Sequence, residues 1–263
     1  GLCCPGAIDP ESRRVINAPN LPDWKDLRVG DEVERSFGLP ARLENDANAA
    51  GLAEALFGAA AGYRHVFYVT VSTGIGTGIV IDRKVYHGAF GVAGEGGHVS
   101  IDYKSPYRCG CGALGCIEAL AAGPAMARRA RARLDQEHEM PSLLRTMTKG
   151  EPHLITPTMI EVAARRGDKI ARSIVDETGI FLGVWLGGMI NVLDPDAIVI
   201  GGGVAQIGKP LFDQIRQTIP HYTLNPSMAA KIPLLPAKLR QNVGVYGAAS
   251  LFSPAGEEAE ASM

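Results

Sequence analysis

The chain has 263 residues, 46% of them hydrophobic, with 26 basic and 28 acidic side chains and a formal net charge of −2. That is the composition of a globular chain able to build one large core or two medium ones. The near-balanced charge excludes binding to nucleic acid or to an anionic membrane surface through bulk electrostatics.

The chain opens on GLCCPGAID, without Met, as if entered at the end of a strand, so an upstream segment is expected. Pro5-Gly6 predicts a turn. Residues 15–24, VINAPNLPDW, carry two prolines and two asparagines and predict a loop. DLRVGDEVERSF over 26–37 predicts a helix ended by Gly38. Residues 41–44 predict a short strand that runs into the turn Asn45-Asp46-Ala47-Asn48. An alanine-rich helix over 49–57 follows. This order places Asn45 and Asp46 at the carboxyl edge of a strand, where α/β sheets keep their chemistry.

HVFYVTVS over 65–72 is a strong strand signal. The glycine-rich run 73–78 predicts a loop or tight bend, followed by strands at 79–81 and 84–86. Gly88, Gly91, Gly94 and Gly97 predict an irregular segment. Residues 119–136 predict a helix with its arginines on a solvated face. Residues 156–192 read as mostly helix, with breaks at Arg166-Gly167 and at Gly179. The uncharged run 178–193 is short of a membrane span and reads as a buried helix. Residues 196–200 predict a buried strand ending on Gly201-Gly202-Gly203. A helix at 210–218, an extended segment at 231–236, a closing helix at 243–252 and a disordered tail at 253–263 complete the chain.

Three of the five cysteines, Cys109, Cys111 and Cys116, follow His98 within a short glycine-rich stretch. One imidazole and three thiols make a tetrahedral zinc set without an open position, hence a structural one. The plainer reading is three reduced thiols in a turn. The odd cysteine count fits a reducing compartment, which points to the cytoplasm. Cys3 and Cys4 receive no role. Zinc on His98 would bring Glu95, His98 and Glu118 to one place. Two carboxylates and an imidazole suit a polyhydroxylated ligand.

Asp46 has two readings, a helix N-cap or a general base for a hydroxyl proton, with Asn45 orienting a neighbouring hydroxyl. Thr73 and Gly74, in Ser-Thr-Gly-Ile-Gly-Thr-Gly, make either a turn or an anion cradle of backbone N–H groups. Gly202 and Gly203 make either a tight turn or a bare surface for a flat base or ribose. The 72–78 run is not a Walker A loop, since it lacks Gly-Lys-Ser/Thr.

Together these residues resemble the ROK family (repressors, open reading frames, sugar kinases) of the actin-like ATPase superfamily. The match runs from PGAID to GAASLF and is densest in TGIGTGIVIDRKVYHGAFGVAGEGGH and CGCGALGCIE. The resemblance implies an α/β fold of the two-lobed, ribonuclease H-like type with an incomplete N-terminal lobe. Residues 1–60 would be the remnant of that lobe and 61–252 the larger lobe, with the closing helix partly returning to the first. It implies ATP-dependent phosphorylation of a hexose, and PNLPDW and EALAAGPAMARRA favour glucose. N-acetylmannosamine kinase, fructokinase, a sugar-responsive repressor and a non-catalytic sugar-binding module are the alternatives.

By the same resemblance Asp46 is the catalytic base, and Asn45, Glu95, His98 and Glu118 are sugar ligands. His98, Cys109, Cys111 and Cys116 hold structural zinc. Thr73 and Gly74 fall in the second phosphate loop, and Gly202 and Gly203 in the adenosine loop. ATP and Mg2+ are the implied cofactors. The implied partners are the hexose, ATP and further copies in a homodimer or homotetramer. Neither a membrane nor nucleic acid is expected, unless a winged helix precedes the chain. Two departures stand out. The family's Asp-x-Gly-Gly-Thr-Lys turn is absent, so the chain is expected to begin several tens of residues into the family pattern. Thr77 also stands where glycine is usual.

Overall fold

The computed structural model describes residues 1–18, 21 and 23–253. Pro19, Asn20 and Pro22 of the predicted loop, and the predicted tail beyond Ser253, lie outside the described residues.

The strands in chain order are β1 (Leu2–Cys4), β2 (Ala7–Asp9), β3 (Arg14–Asn17), β4 (Lys25–Leu27), β5 (Leu43–Asn45), β6 (Val66–Val71), β7 (Ile75–Ile81), β8 (Lys84–Val85), β9 (Ala197–Gly201) and β10 (Leu234–Pro236). They form a parallel pair β1–β5, an antiparallel set β2–β3–β4, and a five-stranded sheet ordered β10–β9–β6–β7–β8. In the largest sheet β10, β9 and β6 run parallel, and β7 and β8 return antiparallel. The helices are α1 (Val29–Phe37), α2 (Asp46–Leu56), α3 (Ile117–Ala121), α4 (Gly123–Gln136), α5 (Leu143–Met147), α6 (Pro157–Arg165), α7 (Lys169–Leu193), α8 (Lys209–Thr218), α9 (Pro226–Ala229) and α10 (Val243–Ser250).

β6 reads VFYVTV and β9 reads AIVIG because both faces of the sheet are covered. Phe67, Val69, Val71, Ile198 and Ile200 enter a core shared with α3, α4, α6, α7 and α8. The alternate residues Val66, Tyr68, Ala197 and Val199 pack on Ala50 and Ala55 of α2. A third cluster, Cys4, Ile8, Val15, Ala18 and Leu43, joins the two N-terminal sheets. Among the described residues α7 is the one helix long and apolar enough to cross a membrane. It packs as the predicted core helix, with Leu182, Trp185 and Leu186 buried.

Several sequence expectations need correction. Residues 15–17 are strand, not loop, because β3 pairs with β2 and β4 before the first proline. The helix predicted from Asp26 starts at Val29, since Asp26 sits at φ 57° inside β4. Residues 75–78 extend β7, in register with Val71 through Tyr68, so the bend is confined to 73–74. The helix predicted over 119–136 breaks at Ala122, which is extended before Gly123-Pro124. Its arginines are not all solvated: the Arg129 side chain is 10% exposed and donates to Glu177 Oε2 (2.9 Å) and Thr178 Oγ1 (2.6 Å) of α7. Gly179 does not break α7 either. A Cβ there would lie 2.6 Å from Gln214 Cβ, so this glycine serves the close approach of α8.

Candidate active site

β5 ends on Asn45 and α2 begins on Asp46, at the carboxyl end of the parallel pair with β1. Asn45 is the N-cap. Its Oδ1 accepts from Ala47 N (2.9 Å) and Asn48 N (3.1 Å), and its Nδ2 donates to Gly6 O (3.0 Å). One amide N–H of Asn45 remains for a ligand. The cap is therefore Asn45, and Asp46 is not needed for it. Asp46 lies in the first turn, exposed, with Oδ1 accepting from Ala47 N at 2.8 Å. Desolvation by the surrounding protein raises its pKa above the ordinary 3.8, opposed by the backbone N–H groups of Ala47 and Asp46 itself.

Behind this turn lies a network that the sequence did not reveal. Glu44 is 4% exposed. Its Oε1 accepts from Asn45 N (2.9 Å) and Asn48 Nδ2 (3.1 Å), and its Oε2 pairs with His87 Nε2 (2.7 Å). The bond to Glu44 raises the His87 pKa, while burial works against it. No alternation in β5 announced it, since Leu43 and Glu44 are both buried and only the carboxylate needs a polar partner.

The segment after His87 runs from Gly88 to the 3₁₀ turn Gly96–His98. Gly6, Asn45, Asn48, Thr77, Gly94 and Glu95 line one cleft, so two of the predicted sugar ligands, Asn45 and Glu95, share it. Thr77 ties the segment to β7: its hydroxyl donates to Gly94 O and accepts from Gly96 N at 2.9 Å. The departure at 77 is thus an anchor. His98 Nε2 stands 3.9 Å from Glu95 Oε2.

The donor atoms of His98, Cys109, Cys111 and Cys116 all lie within 4.8 Å of one another. Cys109 Sγ is 3.5 Å from His98 Nδ1, and Cys111 Sγ is 3.7 Å from Cys116 Sγ. A tetrahedron built on Zn–S bonds of 2.3 Å has S···S edges of ~3.8 Å, so this set fits zinc. Burial pushes Cys109 up to about 12 and raises Cys116, whereas the Ala113 backbone N–H lowers Cys111. Thiolates at Cys109 and Cys116 therefore call for a bound cation.

Glu118 is only partly where a sugar ligand was expected. Its Oε1 meets Cys109 Sγ (3.4 Å), and its Oε2 accepts from Ile75 N (2.9 Å), just after the 73–74 bend. It thus joins the cysteine cluster to that bend. Thr73 and Gly203 line one cavity of about 420 Å³. Gly202 and Gly203 line a second of about 850 Å³, with Tyr68, Thr70 and residues 238–243. The two glycine features therefore adjoin at Gly203. Gly202 has φ +86°, and a Cβ there would lie 2.3 Å from Val71 O. Gly202→Ala is expected to cost about 1–3 kcal/mol for the backbone conformation alone, measured by urea denaturation.

The chain matches the ROK family over residues 1–255. It is 35% identical to a glucokinase of Streptomyces coelicolor over 251 residues, covering 95% of this chain and 78% of that protein. The ROK family glucokinase of Streptomyces griseus, solved with glucose and AMPPNP, superposes with a TM-score of 0.83 at 36% identity, over 94% of this chain and 78% of that one. A ROK family transcriptional regulator, a homolog of E. coli MLC protein, superposes with a TM-score of 0.86 at 32% identity, over 96% of this chain and 61% of that one. With a capped turn presenting Asp46, a Cys3His cluster and adjoining glycine cavities, this chain belongs to the ROK family and has its actin-like sugar-kinase fold.

Proposed function

We propose that the protein is an ATP-dependent hexokinase of the glucokinase type. The observation that carries this reading is the Asp46 carboxylate, relieved of capping by Asn45 and raised in pKa at the end of β5. A base poised in this way takes a proton from a hydroxyl. Asp46 accepts the proton of the sugar 6-hydroxyl as its oxygen attacks the γ-phosphorus of ATP, and ADP leaves. The spare amide N–H of Asn45, Glu95, the Nε2–H of His98 and Glu118 hold the other hydroxyls. With zinc on Nδ1 of His98, its Nε2–H could only donate.

Backbone N–H groups and the Thr73 hydroxyl face the phosphates, and Gly202 and Gly203 give the adenosine a bare surface. Glu161 is the one carboxylate among the described residues lining these two cavities. With no acid pair among the described residues lining these cavities, magnesium would be held by the nucleotide phosphates, whose charge it would neutralise. Zinc on the Cys3His set is structural, and its need for reduced thiols assigns the protein to the cytoplasm. The N-terminal cluster around Ile8 and Val15 supports a division into an N-terminal lobe, 1–60, and a larger lobe, 61–252.

The likeness to the transcriptional regulator supports a second reading, a sugar-responsive repressor. A coupled ADP-release assay with ATP and magnesium separates the two. Glucose, mannose, fructose and N-acetylated hexoses are tested. Turnover of glucose above the others is expected. Silence with every sugar would overturn the kinase reading and make sugar-dependent DNA binding the next assay.

A further inference from the structure

His87 sits between two parts of the site that share no other buried ion pair among the described residues. Its side chain reaches Glu44, one residue before the Asn45–Asp46 turn. Its carbonyl accepts from Ala93 N at 3.0 Å, which closes the following segment on itself. That segment has little else to hold it. Phe90 is 88% exposed and Val92 is 54% exposed, so apolar contacts anchor it poorly. Gly88, Gly91 and Gly94 all have positive φ, a conformation that glycine adopts without strain, so no side chain at these positions stiffens the backbone. The Thr77 hydroxyl fixes its far end at Gly94 and Gly96. His87 fixes its near end.

The partner side of the contact is built for this. Glu44 is a buried carboxylate whose other bonds go to the turn itself, to Asn45 N and Asn48 Nδ2. An ionised Glu44 only accepts, which sets the Asn48 amide with its NH2 toward Glu44. Asn48 Oδ1 is then left buried without a partner, and Asn48 lines the sugar cleft. The network His87–Glu44–Asn48 therefore ends on an unpaired acceptor in the wall of that cleft, beside Gly94.

We propose that His87 is a positioning residue that, through Glu44, clamps segment 88–95 onto the Asn45–Asp46 turn and so sets hexose affinity. This rests on the sugar-site reading above. The charged groups around His87 are Glu44 and, across the same cavity, Asp9, Glu11 and Arg42. Arg42 is already committed to Leu251 O and to the ring of Phe252. Glu44 raises the His87 pKa, so the charged form of the clamp is present at low pH and is lost as pH rises through that raised value. A neutral imidazole still donates to Glu44 through Nε2–H, but the attraction between two opposite charges is gone.

The test is calorimetric titration of glucose into the unaltered chain, His87→Ala and His87→Gln, from about pH 6 to about pH 9. His87→Ala leaves a buried carboxylate short of a donor and is expected to weaken binding about tenfold or more. His87→Gln restores an N–H and is expected to stay within about threefold of the unaltered chain, without its alkaline loss of affinity. Amide hydrogen exchange of residues 88–95 is expected to speed up in His87→Ala alone, with zinc content equal in all three. Equal glucose affinity and equal exchange in His87→Ala would overturn the clamp and leave the kinase reading standing. Equal losses in the Ala and Gln variants would also overturn it, because packing and not the hydrogen bond would then be responsible. Absence of hexose binding by the unaltered chain would overturn both readings.

Discussion

Asp46→Asn is expected to lower kcat for hexose phosphorylation by about 10²–10⁴-fold, the usual contribution of a positioned base. Hexose affinity and zinc content should hold, because Asn45 and not Asp46 caps α2. The pH profile gives a second readout. A base works only when deprotonated, so the rate is lost as pH falls through the folded-state pKa of Asp46. Desolvation places that pKa above the ordinary 3.8, which moves the acid limb upward. The same shift means that the ionised Asp46 is disfavoured by the fold. A carboxylate raised in this way adds to stability only below its unfolded pKa, and that share is gone once pH has risen through the folded value. At neutral pH Asp46→Asn is therefore expected to leave the melting temperature unchanged or higher. Coupled ADP release and a thermal melt check both halves. An unchanged kcat would remove Asp46 from the mechanism.

Removing the metal is expected to have the second large effect. Chelation, or Cys109→Ser, should strip one zinc per chain and release segment 98–116. Structural zinc contributes of order 10 kcal/mol to the folding of small metal-bound modules, and residues 99–116 form no helix or strand of their own. Its backbone pairing is confined to the isolated bridges Ser100–Cys116 and Arg108–Leu114. The loss should spread in two directions. His98 would no longer be fixed beside Glu95, so hexose affinity should fall. Glu118 follows Cys116 by two residues, so freeing Cys116 should also loosen the tie of Glu118 Oε2 to Ile75 N at the 73–74 bend. Metal analysis, a thermal melt and hexose titration of the stripped protein measure each consequence. Native protein with all cysteines freely titratable and no metal would refute the Cys3His site.

How much of this was legible depends on the range of the signal. β6 and β9 announce themselves as apolar runs because both of their faces are buried. The Asn45–Asp46 turn is legible because a strand, a polar turn and an alanine-rich helix follow one another within a few residues. The cluster of His98 with three cysteines is legible from donor chemistry alone. The short strands β3 and β4 were not: β3 pairs with β2 and β4, and the nearby prolines mask the extended stretch before them. Gly179 reads as a helix breaker until the close approach of α8 is seen. Thr77 reads as a mild departure until its hydroxyl is found between Gly94 and Gly96.

By itself the sequence determined the family and the order of most elements, and it proposed a set of zinc donors and a candidate base, because each is written in neighbouring residues. Only the tertiary structure decided which side chains meet across long separations. It put His87 on Glu44, Glu118 on Ile75 N, and Thr73 and Gly203 along one cavity. It also chose Asn45 over Asp46 as the cap, through bond lengths and not residue types. The physical reason is that periodicity and donor identity are local properties of a chain. Partnership between buried polar groups is settled by how sheets and helices stack, and no local pattern carries it.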